Sequence, residues 1–163
     1  MISGVRQCGR TLIVGVVSAV AGLVIAAPTA AATDYQTDAN QALALVNQQR
    51  ARAGCAPLRV VAPLQSPADQ QSSDQAARDR LGHVGANGST SRDRLGRLGY
   101  SQWAENIAQF PSAQQAVKFW STSHAHRASM LNCRFRDTGL AVARSHSGRL
   151  YWTQTFGAPT KFE

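Results

Sequence analysis

Two runs near the C-terminus carry apolar side chains at every second position. Residues 139–144 place Leu140 and Val142 in alternation, and residues 149–156 do the same with Leu150, Trp152, Gln154 and Phe156. Ser145-His146-Ser147-Gly148 separates them with turn composition. A period of two marks a strand with one covered face, so the pair reads as an antiparallel hairpin. Upstream the spacing is helical. Ala39, Ala42, Leu43, Val46 and Ala53 predict a helix over 38–53 after a short polar lead, with Gly54 as its C-cap. A second, very polar helix over 67–81 is expected to bury Ala68, Ala76, Ala77 and Leu81 and to stop at Gly82. That ending would put His83 just past a helix C-terminus, where the dipole favours a cation or a coordinated metal. A Gly/Asn/Ser loop over 85–91 leads to a short helix over 92–98, capped by Thr90 or Ser91 and closed by Gly99. Glu105 then falls in a brief extended segment. Ser112 caps an amphipathic helix with Ala113, Ala116, Val117 and Trp120 on one face. Trp103, Trp120 and Trp152 read as core. Helices first and a small antiparallel sheet last predict an α+β sandwich.

The N-terminus reads as a targeting segment. Arg6 and Arg10 precede an apolar run over 11–27, and Ala30-Ala31-Ala32 offers an Ala-x-Ala cleavage site after Ala32. The competing reading is an uncleaved anchor, since the run approaches the length of a membrane span. Residues 1–32 are therefore expected to be a signal peptide and residues 33–163 one domain, monomeric and without a transmembrane anchor after processing. Beyond Ala32 stand 15 basic and 9 acidic residues, and 13 of the basic ones are arginines scattered from Arg50 to Arg149. A nucleic-acid protein would cluster such charge with aromatics interleaved, so nucleic acid is not expected as a partner. The scatter suits a basic surface facing an anionic exterior. Cys55 and Cys133 remain as a pair. In an exported chain the simplest reading is a disulfide closing a loop of 78 residues, for which chain entropy gives about 4 to 5 kcal/mol at most. A zinc site and two buried free thiols are the alternatives.

Only two glutamates occur, Glu105 and the terminal Glu163. Glu105 lies between Trp103 and Trp120, in Trp103-Ala104-Glu105-Asn106-Ile107-Ala108 and upstream of Trp120-Ser121-Thr122-Ser123-His124-Ala125-His126-Arg127. With Gly82-His83-Val84, these residues place one carboxylate and two imidazoles as candidates for a shared polar pocket.

Six blocks in order resemble the CAP superfamily of cysteine-rich secretory, antigen 5 and pathogenesis-related 1 proteins, in its compact bacterial secreted form. They are residues 47–54 with Pro57-Leu58; Gly82-His83; Asp93-Arg94-Leu95 with Leu98-Gly99-Tyr100; Ala104-Glu105-Asn106-Ile107-Ala108; Trp120 with Ser123-His124-Ala125-His126-Arg127 and Leu131-Asn132; and residues 150–157. The resemblance implies a three-layer α-β-α sandwich. It also implies a cavity in which two histidines and two glutamates hold a divalent metal, often zinc. The first histidine maps to His83, the first glutamate to Glu105 and the second histidine to His126. The second glutamate maps to Ser123, and His124 stands where many bacterial relatives have the proline of Ser-Pro-Gly-His-Arg, so a four-ligand cage is incomplete and Ser123 and His124 belong at the cavity rim.

Two imidazoles with an open coordination shell suit zinc. Glu105 has three readings: ligand, orienter of an imidazole, or anchor for backbone N–H groups. Ser123 near His126 invites a serine-hydrolase reading, yet no Gly-x-Ser-x-Gly elbow exists here. The expected function is a secreted, non-enzymatic binding module for a small apolar or lipid ligand or an extracellular partner, with a candidate divalent-metal site. A metal-dependent or serine-type hydrolase and a purely protein-interacting secreted factor are the alternatives.

Overall fold

The computed structural model describes residues 30–160, together with Met1 and Gly4. The apolar run over 11–27 lies outside the described residues. The elements are α1 (Ala30–Arg52), β1 (Arg59–Val60), α2 (Ala62–Arg78), α3 (Ser91–Leu95), β2 (Gln102–Gln109), α4 (Ala113–Thr122), α5 (His124–Met130), β3 (Asp137–Arg144) and β4 (Leu150–Ala158). The hairpin is β3–β4, paired from Asp137↔Gly157 to Arg144↔Leu150. The sheet order is β1-β3-β4-β2, with β1 parallel to β3 and β2 antiparallel to β4. Helices α1 and α4 cover one face and α2 the other, which makes the three-layer α-β-α sandwich.

Strand parity assigns the faces. Leu140, Val142, Trp152 and Phe156 join Ala42, Val46, Val117 and Trp120 in the apolar core. The opposite face presents Gly139, Ala141, Thr153 and Thr155 to α2. A Cβ on Gly139 would collide with the Leu64 carbonyl, so the helix backbone lies almost on the strand.

Several boundaries differ from the sequence reading. The polar lead before residue 38 is part of α1, which ends as expected at Gly54, whose φ of 76° suits glycine. Helix α2 starts five residues early, with a proline in its first turn and Pro67 tolerated inside, and it stops at Asp79 instead of Gly82. Asp79 adopts φ 48° because its carboxylate is held there by Ser147, Arg149 and Tyr151. Ala77 and Leu81 are exposed; the buried face of α2 carries Gln71, Ser72 and Gln75 instead. Helix α3 is shorter than expected and carries a capping box between Thr90 and Asp93. Trp120 and Trp152 are fully buried, but Trp103 is only partly so.

Cys55 and Cys133 form a disulfide that joins the exit of α1 to the segment after α5. Beside it Arg50, 0% exposed, donates to the carbonyls of Ala56, Met130, Asn132 and Phe135. Burial, with Arg136 nearby, lowers its pKa to about 10. No carboxylate answers this guanidinium among those bonds; four backbone oxygens do, so the loops around the disulfide are stitched to α1 by one side chain.

Candidate functional site

The site forms at β2, an edge strand whose two faces meet different layers. Side chains alternate across a strand, so neighbours Glu105 and Asn106 point to opposite sides. Glu105, opposite Thr155, shares the α2 face; Asn106, opposite Gln154, points the other way and donates to the His126 carbonyl at 3.0 Å. Trp120 Nε1 donates to the Ile107 carbonyl at 3.0 Å, fixing α4 to the same strand.

His83 is held by the polar face of α2. Gln71 Nε2 donates to the Gly82 carbonyl, while Gln75 Oε1 accepts from the Gly82 N–H at 3.3 Å. Gln75 Nε2 in turn donates to Thr153 Oγ1 at 3.0 Å. Two buried amides thus clamp both polar groups of one peptide residue, and His83 follows it directly. His83 lies beyond the reach of the helix dipole, because α2 ends at Arg78, five residues earlier. A depression of about 330 Å³ opens here, lined by Arg78, Arg80, Leu81, Gly82, His83 and Val84.

His83 Nδ1 lies 2.8 Å from Glu105 Oε1. The same carboxylate receives Arg94, whose Nη2 lies 2.9 Å from Oε1 and 2.8 Å from Oε2. Both charged side chains are buried, Arg94 at 4% and Glu105 at 1% exposure, while His83 is half open at 49%. Arg94 is itself fixed: Nη1 donates to the Ser89 carbonyl at 2.9 Å and Nη2 to the His83 carbonyl at 2.9 Å. Its Nε is buried without a partner among the described residues.

His126, in α5, sits 2.8 Å through Nδ1 from Ser123 Oγ, and its ring packs on Phe119 with centroids 5.0 Å apart. Burial holds its pKa below the ordinary histidine value, and the nearby His83 lowers it further. Ser123 is the N-cap residue of α5, yet its hydroxyl serves His126 and caps no backbone N–H. His124 is exposed at the start of α5.

His83 and Glu105 therefore touch, and His126 is close enough to feel the charge of His83. Among the described residues no three His, Cys, Asp or Glu side chains stand together as a ready ligand set. Two ring nitrogens remain as donors. When each Nδ1–H faces its oxygen partner, each Nε2 keeps its lone pair, and a carboxylate behind a histidine is a common way to orient a metal-binding imidazole. In that tautomer the Nε2 atoms of His83 and His126 are the ring nitrogens left without a protein partner. Sequence reasoning missed Arg94, Gln71 and Gln75. Arg94 stood inside the Asp93-Arg94-Leu95 block but carried no site role there, and the two glutamines showed only as the unusual polarity of a helix that had to be buried.

A second groove of about 190 Å³ lies between α1 and α4 and includes Leu45, Val117 and Lys118. It is smaller than the roughly 300–1,000 Å³ that encloses a drug-sized ligand. No helix among the described residues is long and apolar enough to cross a membrane.

The model of the cysteine-rich secretory protein family, CAP, matches residues 43–156. An uncharacterized membrane protein of Bacillus subtilis, YlbC, is 32% identical over 123 residues, covering 74% of this chain and 34% of its own length. The chain thus spans about a third of that relative. An extracellular protein of Bacillus anthracis containing an SCP domain superposes with a TM-score of 0.65 at 25% identity, over 82% of this chain and 45% of that one. An outer surface protein of Borrelia burgdorferi gives a TM-score of 0.69 at 15% identity, over 77% of this chain and 95% of that one.

Proposed function

The chain belongs to the CAP family of cysteine-rich secretory proteins, and on that premise we propose that it is an extracellular binding module built around a two-histidine divalent-metal site. The observation that carries this reading is the pairing of each Nδ1 with a protein oxygen, Glu105 for His83 and Ser123 for His126. That pairing supports Nε2 of both rings as the metal-binding atoms and Glu105 as an orienting residue behind His83. A bound ion would supply Lewis acidity or a fixed charge for a ligand at the mouth. Secretion is supported by the apolar run over 11–27, by the disulfide, and by the extracellular relative. The bound partner is a small apolar molecule or another extracellular component.

Zinc titration by calorimetry of the parent, His83→Ala, His126→Ala and Glu105→Gln tests the metal site. Both histidine variants should lose binding, whereas Glu105→Gln should only weaken it, by about 10- to 100-fold, as for an outer-sphere partner. If both histidine variants bind like the parent, the imidazoles are structural and the reading fails. Affinity should fall on the acid side of neutrality, because imidazolium cannot coordinate. Mass spectrometry of a solvent extract of the purified protein separates a lipid carrier, with bound lipid, from a module that binds macromolecules.

One observation favours a second reading. Ser123 Oγ lies 2.8 Å from His126 Nδ1, and in the tautomer that protonates Nε2 instead the pair has the geometry of a nucleophile and its base. A serine-type hydrolase would turn over activated esters, and Ser123→Ala would abolish the turnover; no turnover by the parent removes it.

A further inference from the structure

We propose that the end of the molecule around the Cys55–Cys133 disulfide is a docking surface for a linear acidic glycan, a sugar chain on which carboxylates recur, and that it acts independently of the histidine site. Residues 50–60 and 127–137 hold six arginines, no lysine and a single acid, Asp137. These arginines are far apart in sequence, and the fold gathers them. The disulfide brings the exit of α1 to the segment after α5, with Cα atoms 4.9 Å apart. Arg50 donates to the carbonyls of Met130, Asn132 and Phe135, and the Arg59 N–H donates to the Arg136 carbonyl at 2.9 Å. Arg52 and Arg134 therefore flank one knot of backbone, the first on the last turn of α1 and the second directly after Cys133.

One carboxylate does not balance this charge. Asp137 already accepts from Arg59 Nε at 2.6 Å and from the Tyr100 hydroxyl at 3.2 Å. On α1 the nearest acid, Asp38, stands about four helical turns before Arg52, roughly 21 Å along the axis and beyond a Debye length of about 8 Å. Arg52 and Arg134 are exposed, and neither enters an ion pair among the described residues. Arg136 crowds Arg50 closely enough to help lower its pKa. The counter-charge is left for a partner to supply.

The surface chemistry selects that partner. Between the arginines the exposed residues are small: Ala53, Gly54, Ala56 and Pro57. A protein interface has aromatic anchors at its centre, a single-stranded nucleic-acid site has aromatic platforms, and a membrane-docking face has a set of apolar side chains to bury. Here Phe135, Leu58 and Met130 are buried, and Val60 is the one large apolar side chain exposed beside the arginines. Phosphate sites commonly use helix N-termini, whereas α1 and α5 both bring their C-termini to this end. What remains is the planar guanidinium fork, which matches the two oxygens of a carboxylate, repeated over an open surface. A chain read as exported meets such carboxylates on the glycans of a cell exterior.

The test measures polygalacturonate binding by calorimetry to the parent, to Arg52→Glu with Arg134→Glu, and to Arg52→Gln with Arg134→Gln. Arg144→Glu, an exposed arginine on the β3–β4 hairpin, and His83→Ala are the controls. The parent should bind, and more weakly as salt rises from about 50 to 200 mM, because neutralising a polyanion releases counterions. The double glutamate variant should lose affinity by about tenfold or more, and the double glutamine variant should lose less in the same direction. Both replace exposed side chains, and thermal unfolding with the disulfide intact checks that they fold. Arg144→Glu and His83→Ala should bind as the parent does. Retention by His83→Ala separates this surface from the metal reading, so either can fail while the other stands. No binding by the parent overturns the proposal, as does undiminished binding by the folded double variants or an equal loss in Arg144→Glu, which would show that net charge alone is read. Tighter binding to phosphatidylglycerol vesicles or to single-stranded DNA than to polygalacturonate overturns the choice of a glycan.

Discussion

The two faces of the sheet are built on different principles. On the α1/α4 face, Trp152, Phe156, Leu140 and Val142 meet Val46, Val117 and Trp120. These contacts are non-directional, and their contribution scales with apolar area removed from water. On the α2 face the sheet offers glycine, alanine and threonine, and the helix answers with Gln71, Ser72 and Gln75. Contacts there are hydrogen bonds: Ser72 Oγ to the Ala141 carbonyl, Gln75 to Thr153, Thr155 Oγ1 to the Leu64 carbonyl. A hydrogen bond adds little net stability but is directional, and it is costly to leave unmade, so it specifies position. The apolar face therefore holds the molecule together, and the polar face aims the loop that carries His83. Even Asp79, which ends α2, belongs to this division: Ser145, Ser147 and Tyr151 on the hairpin depress its pKa and fix where the helix stops.

This contrast can be broken in order of size. Trp152→Ala, on the apolar face, should destabilise by about 3–5 kcal/mol in urea unfolding, since a fully buried indole leaves a cavity its neighbours cannot fill. A cost under about 1 kcal/mol would mean that this face is not the stabilising one. Gln75→Leu and Gln71→Met should cost less, about 1 to 3 kcal/mol each, from the Gly82 groups left unpaired. Their larger consequence should be positional: hydrogen exchange of residues 80–84 should accelerate and zinc affinity fall, with the rest of the sheet still protected. Uniform acceleration across the sheet would show that the clamp is merely part of the core.

The smallest effect is the pH dependence of His126. Its folded-state pKa lies below the ordinary 6.5, so the unfolded chain takes the proton first. The neutral ring is no burden above that value, and stability should decline as pH falls below it. His126→Asn should flatten the slope on that acid side; an unchanged slope would assign it to other groups.

The elements best read from sequence are those whose partners are near in the chain. The β3–β4 hairpin, the Ser112 cap of α4 and the Gly54 end of α1 depend on local period and local turn chemistry, and all three were legible. Strand β2 was visible only as a short extended piece around Glu105. As an edge strand covered on both sides by different layers, it sends Glu105 one way and Asn106 the other, so no polar/apolar alternation marks it. The pairing of Cys55 with Cys133 was legible from an even count in a chain read as exported, and His83 and Glu105 from their motifs.

The amino-acid sequence alone thus determined the layered α+β architecture, the disulfide and the identities of the candidate site residues, because hydrophobic period, turn residues and motif order are properties of the chain itself. Tertiary structure alone decided where α2 ends, why its buried face is polar, and that Glu105 is shared between His83 and Arg94. Those outcomes depend on hydrogen bonds between residues distant in sequence. Asp79 needs Tyr151, Gln75 needs Thr153, and Glu105 needs an arginine eleven positions earlier on another element. A local pattern records which side chains want burial; only the folded arrangement supplies the partner that offsets the cost of burying a charge or an amide.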